Sequence, residues 1–107
     1  MDEPNPNLDL FRACIPYFEV LADPTRQQLV LALGEQHRSL NVGALTEKVS
    51  LSRPAVSHHL KVLLQAGMVG SVKKGTESYY YLTLDRMIGD MKRFVSMMEL
   101  TCLRRDS

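Results

Sequence analysis

Residues 51–69, LSRPAVSHHLKVLLQAGMV, hold a helix start, a two-faced helix and a helix stop within one short run, and this constrains the fold of the chain more than any other stretch. Ser52 is a good N-cap, Pro54 fits the first turn, where its missing N–H costs nothing, and Gly67 supplies a left-handed cap before a strand opens at Met68. At roughly 100° per residue, Ala55, Val56, His59, Leu60, Val62 and Leu63 fall on one arc, and Arg53, Pro54, Ser57, His58 and Lys61 on the opposite one. The second arc carries cations and hydrogen-bonding groups with no acid among them. That is what a helix needs to approach base edges between two rows of phosphates.

The neighbouring segments frame this helix. Residues 1–7, with two prolines and two asparagines, are expected to be a disordered tail. Leu8, Phe11, Ile15, Phe18 and Ala22 recur at helical spacing and predict a first helix over about 8–22, with Pro16 producing a kink or a break. Asp23-Pro24 opens a second helix with Leu29, Val30 and Leu33 inward up to Gly34, and Asn41 caps a short third helix through about Val49. Met68–Lys74 and Glu77–Thr83 read as strands joined by Gly75-Thr76, a hairpin over about 68–83. A last helix over about 85–103 lines up Met87, Met91, Phe94, Met98 and Cys102, widened by Ile88 and Val95. That stripe has little left to cover it, and neither has the first helix, so a homodimer through these two helices is expected.

The chain has 107 residues, 45% of them hydrophobic, which is ordinary material for one domain that buries a modest fraction of its surface alone. No run is long and apolar enough for a membrane span, the acidic start lacks a signal peptide's features, and two cysteines without a close-spaced pair make no disulfide framework; a cytoplasmic protein is expected. The net charge of +1 conceals an uneven distribution. Residues 1–36 carry two Lys/Arg against six Asp/Glu, whereas residues 37–86 carry seven against three. A basic middle is the footprint of a face that meets phosphates, though also common on solvated surfaces. There is no glycine-rich phosphate loop, nucleophile elbow, set of paired carboxylates or plausible Cys/His dyad, so an enzyme is not expected.

The run LADPTR at 21–26, then LSRPAVSHHLKVLLQAGMV, then KKGTESYYYLT at 73–83, in that order and spacing, resembles the winged helix-turn-helix repressors of the ArsR/SmtB family. The resemblance implies an α+β, mainly α, winged helix-turn-helix fold with long N- and C-terminal dimerisation helices, a single domain over 8–107 with its recognition helix at about 53–66. It implies a dimeric repressor on a two-fold operator in double-stranded DNA. Many members of that family sense metals through a Cys-x-Cys pair on the third helix, or through acidic and histidine ligands on the last. The matching third-helix positions here are Asn41 and Gly43, and on the last helix Asp85 matches one ligand while Met87, Met98 and Thr101 stand where the others belong. No metal and no other cofactor is therefore expected.

The candidate DNA-binding residues are Arg53, Pro54, Ser57, His58 and Lys61 on the polar arc and Lys73 and Lys74 beside the hairpin tip. Arg53 has the fork for guanine O6 and N7, and His58 faces bases or phosphates. The two wing lysines serve either as phosphate contacts or as edge-strand charges that discourage aggregation. His59 belongs to the apolar arc as a hydrogen-bonded core histidine, and adjacent His58 and His59 point about 100° apart, too far to share an ion. Tyr79, Tyr80 and Tyr81 are read as hairpin and core packing. Cys14 and Cys102, both on apolar stripes, are the candidate redox residues, brought near each other or near their mates by the dimer interface. The alternative to a DNA-binding regulator is a winged-helix module that serves protein interaction.

Overall fold

The computed structural model of the chain describes residues 3–36 and 38–103. Helices α1 (Pro6–Leu21) and α2 (Pro24–Gln36) lead through a two-residue strand, β1 (Leu40–Asn41), into the short helix α3 (Val42–Thr46), and α4 (Arg53–Gln65) follows. Strands β2 (Val69–Lys74) and β3 (Glu77–Leu82) form the hairpin, and α5 (Asp85–Met97) runs into a π-helical turn at Met98–Cys102.

Side-chain caps set the helix starts. The Asn5 side-chain oxygen accepts from the backbone N–H groups of Asn7 (3.1 Å) and Leu8 (3.2 Å), with Pro6 at the first helical position. α1 therefore begins two residues before the expected Leu8, inside the segment expected to be a tail. Asn5-Pro6 is the same device as Asp23-Pro24, where the Asp23 carboxylate accepts from the Arg26 N–H at 3.0 Å. Met1 and Asp2 lie outside the described residues, as do 104–107 at the end of the expected domain. α1 also runs unbroken through Pro16: its neighbours Cys14 and Tyr17 are buried against the core and hold the helix in place, while Pro16 faces solvent.

The end of α4 is a Schellman turn. Gly67 takes φ +75°, its N–H donates to the Leu64 carbonyl (3.1 Å), and the Met68 N–H reaches back to the Leu63 carbonyl (3.0 Å). From that turn the chain enters a three-stranded antiparallel sheet of order β1-β3-β2, in register from Val69↔Leu82 to Lys74↔Glu77. The returning end is tied to the same turn, because the Thr83 hydroxyl donates to the Gly67 carbonyl (3.0 Å) and the Thr83 N–H to that of Met68 (3.0 Å). Strand β1, pairing Leu40 with Tyr80 and Asn41 with Tyr79, was not foreseen, since two residues carry no readable alternation.

The core gathers Leu29 and Leu33 of α2, Leu45 of α3, Val56, Leu60 and Leu63 of α4, and Met68 and Val69, with Cys14 and Tyr17 of α1 on its flank. α5 packs on α1: the Phe11 and Phe94 rings meet edge-on at 5.0 Å, Phe18 approaches Phe94 at 5.9 Å, and the Tyr17 hydroxyl donates to Asp90 at 2.7 Å. Two corrections to the expected last-helix stripe follow. Phe94 and Met91 are half-buried within the chain, and Met97, outside the expected stripe, is the buried methionine of α5. The helix also widens into its π turn at Met98, closed by the Leu103 N–H on the Met98 carbonyl, where Leu100 is 82% exposed. Leu8, Phe11, Ile15 and Phe18 on α1 and Ile88 and Val95 on α5 remain exposed. The radius of gyration, 17.2 Å, exceeds the roughly 13 Å of a compact chain of this length, and the extents are 56 × 35 × 21 Å.

The Tyr17–Asp90 bond has a pH signature. Its first effect is to hold the Asp90 carboxyl below the usual carboxylate range, with the Arg93 hydrogen bond adding to it, and the same bond raises the Tyr17 phenol. A carboxyl depressed in the folded state stabilises above its unfolded pKa, and that contribution fades as pH falls through the folded value. Tyr17→Phe should lower the melting temperature at neutral pH, and the gap between the two proteins should shrink below about pH 4, as thermal melts across a pH series would show.

Candidate nucleic-acid interface

The exposed face of α4 is built as its sequence dictates. Ser52 caps the helix by accepting from the Ala55 N–H, and Val56, Leu60 and Leu63 are fully buried, so Arg53, Pro54, Ser57, His58 and Lys61 are left on the outer side. All five are exposed, and no acid stands among them. The positive end of the helix dipole lies at Arg53, which adds to the attraction for anions.

Arg53 reaches back rather than straight out. A Cβ added at Gly43 would lie 2.7 Å from its Nη2, so the guanidinium rests on the backbone of α3 where a side chain is missing. Beside it, Asn41, Val42, Thr76, Glu77 and Ser78 enclose a polar cleft of about 230 Å³ between the start of α3 and the hairpin tip. Asn41 serves two elements there. Its oxygen caps α3 through the Ala44 N–H (2.8 Å), while its Nδ2 donates to Glu77 Oε2 (3.1 Å), which the Tyr79 hydroxyl also contacts (3.3 Å). Asn41 was read as a cap and as a position matching a family metal ligand, and Glu77 only as the start of a strand; their contact crosses 36 positions and leaves no local sequence signal.

At the hairpin tip Gly75 takes φ +65°, allowing the two-residue turn. Lys73 and Lys74 are exposed on β2 just before it, and the Lys74 ammonium sits 5.1 Å from the centre of the Tyr79 ring. Of the three tyrosines, Tyr80 packs against the core, and Tyr81 lies so close over Gly70 across the strands that a Cβ there would meet its ring at 2.6 Å.

His58 is exposed with its ring edge-on to His59 at 5.8 Å. His59 is half-buried, and its Nδ1 lies 3.2 Å from Arg26 Nη1 and 3.8 Å from the Asp23 carboxylate. Because arginine only donates, Nδ1 is the acceptor. The two cysteines stand in different settings. Cys14 is fully buried beside Asp90, and burial, then the Asp90 charge, push its thiol up. Cys102 is exposed on the π turn, twelve residues beyond Asp90 and so about 18 Å along the helix, which keeps the two apart within a chain. Among the described residues no three His, Cys, Asp or Glu side chains gather as a metal site would need.

Helices α3 and α4 with the β2–β3 hairpin make a winged helix-turn-helix, the architecture of a large class of transcription regulators. The family described as bacterial regulatory protein, arsR family, matches residues 23–71, from the cap of α2 into β2. The chain is 32% identical over 97 residues to the arsenical resistance operon repressor of Bacillus subtilis, covering 91% of this chain and 87% of that protein. It is 31% identical over 80 residues to an HTH-type transcriptional regulator of Methanocaldococcus jannaschii, covering 75% of this chain and 89% of that one. The homodimeric winged helix-turn-helix DNA-binding domain of a Mycobacterium bovis protein superposes with a TM-score of 0.68 at 19% identity, covering 96% of this chain and 97% of that one. The chain belongs to the arsR family and is a transcriptional regulator, as its relatives are, and not an enzyme.

Gly43→Ala tests the resting place of Arg53. Only the tip of a flexible side chain stands in the way, and alanine favours a helix by up to about 1 kcal/mol over glycine. The melting temperature should hold or rise, while the Arg53 side-chain ¹⁵N resonance shifts as the guanidinium is displaced.

Proposed function

We propose that this chain represses transcription as a homodimer that lays α4 into the major groove of a two-fold operator in double-stranded DNA, with the wing on the adjoining phosphates. The observation that carries this reading is the outer face of α4: five exposed residues, two of them cationic, with no acid, beside a hairpin tip bearing two more exposed lysines. Arg53 and His58, with Ser57 and Pro54, read base edges, and Lys61, Lys73 and Lys74 bind phosphates. The repressor role is taken over from the Bacillus subtilis relative, and the dimer is supported by the Mycobacterium bovis neighbour and by the exposed apolar residues of α1 and α5. The site of action is the cytoplasm; no described helix is long and apolar enough to cross a membrane.

Regulation by metal at the family's usual positions finds no support in the donor chemistry. Gly43 offers no donor, and the Asn41 side chain is committed to α3 and Glu77. Met87, Met98 and Thr101 lack the imidazole and carboxylate groups of the last-helix site. Cys14 is held as a buried, protonated thiol, which leaves Cys102 as the oxidant-accessible one.

Four measurements check the reading. On duplexes selected from a random pool, Arg53→Ala or His58→Ala should cost about 1–3 kcal/mol and relax preference at particular bases. Loss of Lys61, Lys73 or Lys74 should weaken all duplexes alike and lower the slope of log affinity against log salt by about one each. Equal loss on specific and nonspecific DNA for Arg53 and His58, or no effect from any of the five, would favour the interaction-module reading.

Sedimentation at micromolar concentration should show a dimer, and Ile15→Lys, placing a charge on the exposed stripe, should yield a folded monomer. A wild-type monomer under the same conditions would overturn the dimer. Zinc, cadmium and nickel should leave operator affinity within about twofold. Tight stoichiometric zinc binding that releases DNA would refute that expectation.

A further inference from the structure

On the side of α1 turned away from its exposed stripe, a cavity of about 340 Å³ opens between α1, α5 and the end of α4. Ala13 and Tyr17 supply one wall, Gln65 to Gly67 a second, and Arg86, Met87 and Asp90 a third. At about 100° per residue, Ala13 lies nearly opposite the centre of the Leu8–Phe11–Ile15–Phe18 stripe, and Arg86 and Asp90 lie across α5 from Ile88 and Val95. A second copy seated on the exposed stripes therefore leaves this cavity open to solvent.

Its polar groups are unevenly committed. The Asp90 carboxylate, whose side chain is 13% exposed, accepts from the Tyr17 hydroxyl on one oxygen and from Arg93 on the other, and each oxygen keeps a further lone pair. Arg86 stands one turn earlier on the same face, the usual spacing for an ion pair with Asp90, yet among the described residues no acid lies within 4.0 Å of it. The α4 wall is the negative end of a helix dipole, and no basic residue occupies its last turn. Ala13, Ala66 and Met87 supply apolar surface between these poles.

A lone anion would meet Arg86 but be repelled by Asp90 and the end of α4, and a lone cation would meet the reverse. A molecule carrying both charges satisfies both ends. We propose that this cavity binds a small zwitterion with an apolar body, the chemistry of an α-amino acid: its carboxylate on the Arg86 guanidinium, its ammonium towards Asp90 and the carbonyl end of α4. Arg86 and Asp90, about 6 Å apart at their Cβ atoms, suit so short a ligand. Gln65 to Gly67 close the recognition helix, while the other walls belong to the two helices assigned to the dimer. A ligand drawing these walls together changes the angle between α4 and the dimer axis. This last step rests on the proposed DNA-binding function; the binding site does not.

Calorimetry and thermal melts on the protein alone, with the common L-amino acids at millimolar concentration as probes, test the site. Each probe is matched by the amine lacking its carboxylate and the acid lacking its ammonium. At least one amino acid should bind and raise the melting temperature, with both analogues at least about tenfold weaker. Arg86→Met and Ala13→Phe, which removes the guanidinium or fills the cavity, should abolish the response while leaving the unliganded melting temperature near that of wild type. No response to any amino acid, an analogue that matches its parent, or an undiminished response in both variants would overturn the site. With the bound amino acid present, affinity for the selected duplex should change by about 5- to 150-fold. Unchanged affinity would overturn the coupling alone, and failure of the unliganded protein to bind DNA would overturn the proposed function without touching the calorimetric result.

Discussion

One guanidinium ties together the parts that have to hold a common geometry. α1 ends with no basic residue in its last turn, and its final carbonyls are satisfied from the next helix: Arg26 Nε donates to Val20 O at 2.7 Å and Gln27 Nε2 to Leu21 O at 2.8 Å. Arg26 Nη1 then donates to His59 on the inner face of α4, while the Arg26 backbone N–H binds the Asp23 carboxylate. That N–H is the main reason the Asp23 carboxyl sits below its ordinary range, the Arg26 charge adding to it. A planar fork with five donors can serve a carbonyl on one side and an imidazole on the other. Lysine, with one compact ammonium, cannot span both.

The wing is held differently, by backbone geometry at its base and a polar link at its tip. Gly67 reverses the chain, and Thr83 fastens both ends of the hairpin to that reversal through the carbonyls of Gly67 and Met68. The turn into the wing is thus fixed to the same residues that terminate α4. Farther out, Asn41 bridges α3 to Glu77, so the tip bearing Lys73 and Lys74 keeps a set distance from Arg53. The absent side chain at Gly70 lets the ring of its cross-strand partner Tyr81 lie over the neighbouring strand between these anchor points.

What was legible in the sequence was what depends on neighbours along the chain. Ser52, Asp23, Asn41 and Gly67 announced their caps because capping joins residues two or three apart, and the two arcs of α4 follow from its period. Asn5-Pro6 carried the same signal as Asp23-Pro24, but its polar surroundings resembled a tail. What was illegible depends on distant pairing: the two-residue strand β1, the Asn41–Glu77 bridge, the Arg26–His59 bond and the seat of Arg53 on Gly43. The stripe of α5 was read with the right residue types but the wrong division of labour, since only packing decides which methionines meet α1.

Positions 41 and 43 show how the start of α3 is tied to its surroundings. Asn41 and Gly43 are both structural in this chain, the first joining α3 to the wing and the second seating Arg53. A cysteine at 41 would remove the side-chain hydrogen bonds to Ala44 and Glu77, and with them the link between α3 and the wing tip. The Arg26–His59 hydrogen bond reaches α4 from another side, linking the end of α1 through α2 to the middle of α4. Arg53 at the start of α4 is seated on α3, His59 in its middle is held by α2, and Gly67 at its end is tied to Thr83, so the helix is gripped at three points along its length. A displacement felt at only one of these points tilts or rotates the helix rather than translating it as a body.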